Sequence, residues 1–143
     1  MIKTVTTQST WTGAMRVEGQ AKNHTLIIDQ PADMGGGDAG PNPLEYLLVA
    51  LGSCLGTVAA IVARQERIKL EGFSVEIEGD YDLDFLMGKT TDGDGGFLEI
   101  RQKAFITADL TDEEKTVFFE KVHSRCPVTG SLVNQTRIMT EVH

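Results

Sequence analysis

Sulfur, aromatic and basic side chains are all scarce in this chain, and each shortage removes a class of function. Among 143 residues there are two cysteines, Cys54 and Cys126, with one tryptophan and four prolines. Two thiols cannot make the disulfide framework of a small secreted domain. His123 and Cys126 are spaced i, i+3, but no further pair of Cys or His ligands completes a structural zinc site, so His123 reads as a last-turn histidine favoured by the helix dipole. Lys and Arg number 13 against 21 Asp and Glu, a net charge of −8 with a pI of 4.8, which argues against nucleic acid or an anionic membrane as partner. No apolar leader follows Met1, so a cytoplasmic location is expected. The glycine run Gly35-Gly36-Gly37 lacks the Lys-Ser/Thr ending of a phosphate loop. A calcium loop starting at Asp92 would put Phe97 at its glycine position and Lys103 at its final carboxylate, so that tract is a turn.

What remains is ordinary globular composition, 41% hydrophobic and 24% charged, at a length that fits one domain over residues 1–143. The longest apolar run covers residues 46–63 and has Cys54 at its centre. Its length is at the lower edge of a membrane span, but it carries Gly52, Ser53, Cys54, Gly56 and Thr57 and is flanked by amphipathic segments, so a buried core helix is expected. Asn42 is a suitable N-cap, Pro43 suits the first helical position and Glu45 completes a capping box. The helix is predicted over residues 43–66, ~36 Å long at 1.5 Å per residue. Apolar residues surround its whole circumference, more than one small sheet can cover, and a second copy of the chain is expected to supply the rest as an intimate homodimer. Gly52 and Gly56 each cost about 1 kcal/mol against alanine inside a helix. Close packing of a neighbouring element or access of a small reactant to the sulfur would account for them.

Around that helix the pattern predicts strands at residues 2–11, 15–18 and 24–29, forming a meander, then an irregular loop at 30–41. Strands follow at 69–81, with Phe73, Val75 and Ile77 on one face, and at 97–108, joined by a long connection over 82–96. Thr111 with Glu114 is a second capping box, opening a helix over residues 112–124 that buries Val117, Phe118 and Val122; Cys126-Pro127 ends or restarts it. Residues 135–142 read as a closing strand. The fold class is α+β.

The stretch Gly40-Pro41-Asn42-Pro43-Leu44-Glu45-Tyr46-Leu47-Leu48-Val49-Ala50-Leu51-Gly52-Ser53-Cys54, followed later by Cys126-Pro127-Val128, resembles the OsmC/Ohr family of osmotically inducible and organic hydroperoxide resistance proteins, over nearly the whole chain. The resemblance implies antiparallel sheets packed on a long Cys-bearing helix plus a second helix, in an intertwined homodimer. It also implies a thiol peroxidase acting on organic hydroperoxides, with no cofactor and no metal. Cys54 would attack the peroxide and become a sulfenic acid, Cys126 would condense with it to a disulfide, and an external dithiol would reset the pair. Arg16, the first arginine of the chain, and Glu45 match the family's ion pair that supports the thiolate. Where the hydroperoxide-resistance branch has an acidic residue ten positions before the cysteine, this chain has Leu44. Glu45, nine before, lies ~13.5 Å along the axis and on the opposite side of a straight helix. Other readings of the same residues are a redox-responsive or small-apolar-ligand-binding protein without turnover, and a structural homodimer with inert thiols.

Overall fold

The computed structural model describes residues 1–143, which divide into two compact units, Met1–Leu47 and Leu48–His143. The first unit is built on a meander of β1 (Gln8–Gly13), β2 (Arg16–Ala21) and β3 (His24–Ile28), antiparallel in the order β1-β2-β3. The turns between them are tight, with Ala14 and Lys22 in the left-handed region at φ 46° and 55°. Trp11 Nε1 donates to the Ala14 carbonyl at 2.8 Å and closes the first turn. The strand expected at residues 2–11 therefore begins later, and residues 1–7 are exposed without regular structure.

The loop after β3 is not slack. The buried Asp29 carboxylate accepts backbone N–H groups from Gln30 (2.8 Å), Gly37 (3.1 Å) and Ala39 (3.1 Å), winding the chain around one side chain. A short 3-10 turn, Ala32–Met34, lies within this knot, and a Cβ at Gly36 would collide with the Gln30 carbonyl. The Tyr46 hydroxyl donates to the Ile27 carbonyl at 2.9 Å.

Helix α1 spans Pro43–Glu66, as its sequence signals require. Asn42 Oδ1 accepts the Glu45 N–H at 2.9 Å and Glu45 Oε2 accepts the Asn42 N–H at 2.8 Å. At the other end Ile68 N–H donates to the Ala63 carbonyl (2.8 Å) and Arg67 N–H to that of Arg64 (3.4 Å), a Schellman closure with Arg67 at φ 58° where glycine is usual.

In the second unit, β4 (Leu70–Tyr81) and β5 (Phe97–Ala108) form a two-stranded antiparallel ladder in which Phe73 faces Ile106 and Val75 faces Ala104. The connection between them holds a short helix α2 (Leu83–Leu86), capped by Asp82. Helix α3 (Asp112–Arg125) opens on the Thr111–Glu114 capping box, and the chain restarts at once as α4 (Pro127–Val133). The core joins Leu51, Leu55, Val58, Ala59, Val62 and Ala63 of α1 to Phe118 and Val122 of α3 and to Cys126, with the apolar face of the hairpin packed against them. Each large side chain so buried contributes about 1.5–3 kcal/mol. One face of α1 is thereby covered, while Val49, Ser53, Thr57 and Ile61 stay exposed. By length and composition alone α1 could also cross a membrane.

Two expectations fail here. Val117 is 50% exposed, because Phe118 and Val122 take the inward positions of α3. Residues 135–142 form no strand; no neighbouring edge pairs with them, and Ile138, Met139 and Val142 are all exposed.

Candidate active site

The second unit brings the two thiols together. Cys54 is half-buried on α1, and Cys126, 2% exposed, occupies the junction where α3 stops and α4 begins. Pro127 suits the first turn of α4 because its missing N–H is one the helix start leaves unpaired anyway. This lets Cys126 act as N-cap, its sulfur accepting the Thr129 N–H at 3.4 Å. The Cys54 thiol lies beside the Cys126 sulfur, close enough for the two to influence each other's titration. Both cysteines are free.

The pair is electrostatically unequal. Burial pushes the Cys54 thiol up, and its hydrogen bond and charge interaction with Cys126 push it further, against the opposing Val128 N–H. Burial also raises Cys126, but its interactions with Cys54, with Thr129 and with the Val128 backbone outweigh it and bring that thiol below its ordinary value. Two sulfurs this close share their protons, and the titration belongs to the pair.

Close packing explains one of the two glycines beside Cys54. A Cβ at Gly52 would lie 3.3 Å from Ile77 Cδ1, whereas one at Gly56 would make an ordinary 3.8 Å contact with Phe73. One turn from the thiol, Leu48, Val49, Gly52 and Ser53 of α1 with Val75 and Ile77 of β4 line an open groove of about 310 Å³. Leu51 and Leu55, apolar neighbours of Cys54 in the chain, are fully buried in the core.

Arg16 and Glu45 belong to the first unit and are not paired with each other. Arg16 Nη2 lies 3.3 Å from Glu18 Oε1, while its Nε is buried without a partner. Its charge, after the three backbone donors, helps hold the Asp29 carboxyl below its ordinary value. Glu45 is engaged in the helix cap. In the second unit Arg101 is committed to Glu78, Asp80 and Glu99, which raise its pKa further. Sequence reasoning missed Thr129 and Asp29. A cysteine and proline opening a helix, with threonine three residues after the cysteine, is a capping pattern that could have exposed Thr129. Asp29 has no such local signature.

The chain is similar to several solved structures. An OsmC-like protein from Mycoplasma pneumoniae superimposes with a TM-score of 0.81 at 22% identity, over 93% of this chain and 89% of that one. A putative osmotic stress induced and detoxification response protein from Psychrobacter arcticus gives 0.72 at 23% identity, covering 92% and 90%. An organic hydroperoxide resistance protein OsmC from Legionella pneumophila gives 0.70 at 21% identity, again over 92% and 90%. No curated protein matches the chain. At these identities the likeness establishes the fold alone. Residues 35–141, which contain both thiols and every helix from α1 onward, match the family described as OsmC-like protein, and the chain belongs to that family.

Proposed function

We propose that this protein is a thiol peroxidase that reduces organic hydroperoxides at the Cys54–Cys126 pair. The observation that carries the reading is the meeting of the only two sulfhydryl groups of the chain at one helix junction, the more accessible Cys54 facing the buried Cys126. Attack of Cys54 on the O–O bond gives a sulfenic acid and an alcohol; Cys126 then displaces water from that sulfur to form the disulfide, and a dithiol reductant returns both thiols. Relatives of the same fold from Legionella pneumophila and Elizabethkingia anophelis are organic hydroperoxide resistance proteins, which supports the substrate class. Arg16 would support the developing charge and Glu45 would orient it, as the family resemblance implies. The exposed face of α1 favours a second copy of the chain as its cover, in a cytoplasmic homodimer.

A second reading has its own support. The upward push on the Cys54 thiol slows thiolate formation and suits a regulatory disulfide that forms once and does not turn over. One equivalent of cumene hydroperoxide, followed by mass spectrometry, should link residues 54 and 126 within a single chain. With excess dithiothreitol, continued peroxide consumption identifies the enzyme, and stoichiometric consumption identifies the sensor. Failure to link the two residues at all would overturn both.

A further inference from the structure

The sulfur of Cys126 has two duties. It is one half of the thiol pair, and it is also the N-cap of α4, where it accepts the Thr129 N–H at 3.4 Å. Helix α4 has little else to stand on. It is seven residues long, Pro127–Val133, well short of the about 12–15 residues below which an isolated helix is marginal in water. Val128, Thr129, Gly130, Ser131 and Val133 are all weak helix formers. Its anchors are Val128, which packs against the core, and Thr129, which is 4% exposed. Ser131, Leu132 and Val133 are exposed. Even the anchor at Thr129 is imperfect, because its Oγ1 is buried without a hydrogen-bond partner, a cost that an opened arrangement would relieve. The C-terminal segment is tied on through this same helix. The Asn134 N–H and Nδ2 donate to the Gly130 carbonyl at 3.1 and 2.9 Å, and Thr136 Oγ1 donates to that of Ser131 at 3.5 Å.

We propose that α4 is a redox-sensitive element, closed while Cys126 is a free thiol that caps it and uncapped when Cys126 is joined to Cys54. The inference rests on the peroxidase reading for its natural oxidant and adds a structural consequence to the same site. Cys54 packs against the same core cluster as Cys126. To bond to it, the Cys126 sulfur must turn toward α1 and draw in to about 2.05 Å, which takes it away from the Thr129 N–H. The hydroperoxide removes two electrons from the two sulfurs: the S–S bond forms, the O–O bond breaks, and the two thiol protons leave with the oxygens as alcohol and water. With its cap withdrawn, α4 frays from the first turn and residues 134–143 loosen with it. Opening gives an external dithiol a path to a pair whose second sulfur is otherwise 2% exposed. Attack of the dithiol on Cys54 breaks the S–S bond and expels Cys126 as a thiolate, a charged acceptor that recaps α4. The second thiol of the reductant then displaces Cys54 from the mixed disulfide. The reductant leaves as its own disulfide, and its two protons restore both thiols.

The test uses diamide, which oxidises a thiol pair to a disulfide and takes up the two protons and two electrons as its hydrazine, so no peroxidase activity is needed. Hydrogen–deuterium exchange of the amides at 129–133 is compared in the reduced and the diamide-oxidised protein. The expected result is exchange about tenfold faster in the oxidised form, with the amides of α3 unchanged. Equal exchange in the two forms overturns the proposal. Cys126→Ala removes the cap and should open α4 in reducing buffer, while Cys126→Ser supplies a hydroxyl cap and should keep it closed with or without diamide. An Ala variant as protected as the wild type overturns the role of the sulfur. Should Cys126→Ala fail to fold, Cys54→Ser decides: it keeps the cap and lacks the bonding partner, so diamide should leave its α4 closed, and opening there overturns the proposal. Opening under diamide in a protein that consumes no hydroperoxide refutes the peroxidase reading alone. Sustained peroxide turnover with α4 equally protected in both forms refutes this inference alone.

Discussion

Gly52 on α1 and Ile77 on β4 approach so closely that a methyl group at Gly52 would stand 3.3 Å from Ile77 Cδ1. Gly56, one turn later, has room for the same methyl group at 3.8 Å from Phe73. Both positions carry the same helix-propensity penalty, so substitution separates packing from propensity. Gly56→Ala should stabilise the protein by about 1 kcal/mol, seen as a raised thermal midpoint. Gly52→Ala should gain little or lose, since Ile77 must move to admit the methyl. A lowered midpoint for Gly56→Ala would mean that another surface occupies that face.

Asp29 holds its loop only as a carboxylate. Three N–H donors and the Arg16 charge depress its pKa below the ordinary 3.8, so the folded state binds this proton more weakly than the unfolded chain does. The stabilisation it confers is therefore complete above the unfolded value and is lost as pH falls through the lower, folded value. Asp29→Asn should melt earlier than the wild type at neutral pH, and the gap between the two should close in strongly acidic buffer. A gap that stays constant with pH would refute the ionic role.

Phe118 and Val122 are sealed in the core, and the Phe118 ring is 2% exposed. Phe118→Ala should cost about 3–5 kcal/mol, read as a lower urea midpoint with the slope of the transition unchanged. Val117→Ala, on the exposed side of the same turn, should move the midpoint by about 0.5 kcal/mol or less.

Arg67 closes α1 in a conformation that costs a side-chain-bearing residue about 1–2 kcal/mol. Arg67→Gly should relieve it, for a net gain of about 1 kcal/mol or less once the greater freedom of glycine in the unfolded chain is counted. Denaturant titration distinguishes this gain from the alternative, an Arg67 side chain whose contacts outweigh its backbone cost.

The elements that could be read from the sequence carry their own punctuation. Asn42, Pro43 and Glu45 marked the start of α1, Thr111 and Glu114 that of α3, and alternating apolar positions defined β4 and β5. The misses share a different cause. Residues 135–142 hold the β-branched residues of a strand, but a strand needs a ladder partner, and residue type alone supplies none. Val117 has the right residue type and sits on the wrong side of Phe118. The nearness of Cys54 to Cys126 was expected from family resemblance alone, since contacts between distant parts of a chain leave no local trace. The grip of Thr129 on the second sulfur depends on a helix restarting immediately after the first stops, and Cys126-Pro127 left open whether it would.

The knot around Asp29 changes what the glycine-rich tract before α1 can tolerate. Composition suggests a tether that would accept extra residues, as surface connections usually do. Yet its amides at 30, 37 and 39 converge on two oxygens of a single side chain, so the spacing between them works like the teeth of a key. One inserted residue between 30 and 37 would carry Gly37 and Ala39 out of alignment together, and a stretch that looks like slack is a part cut to length.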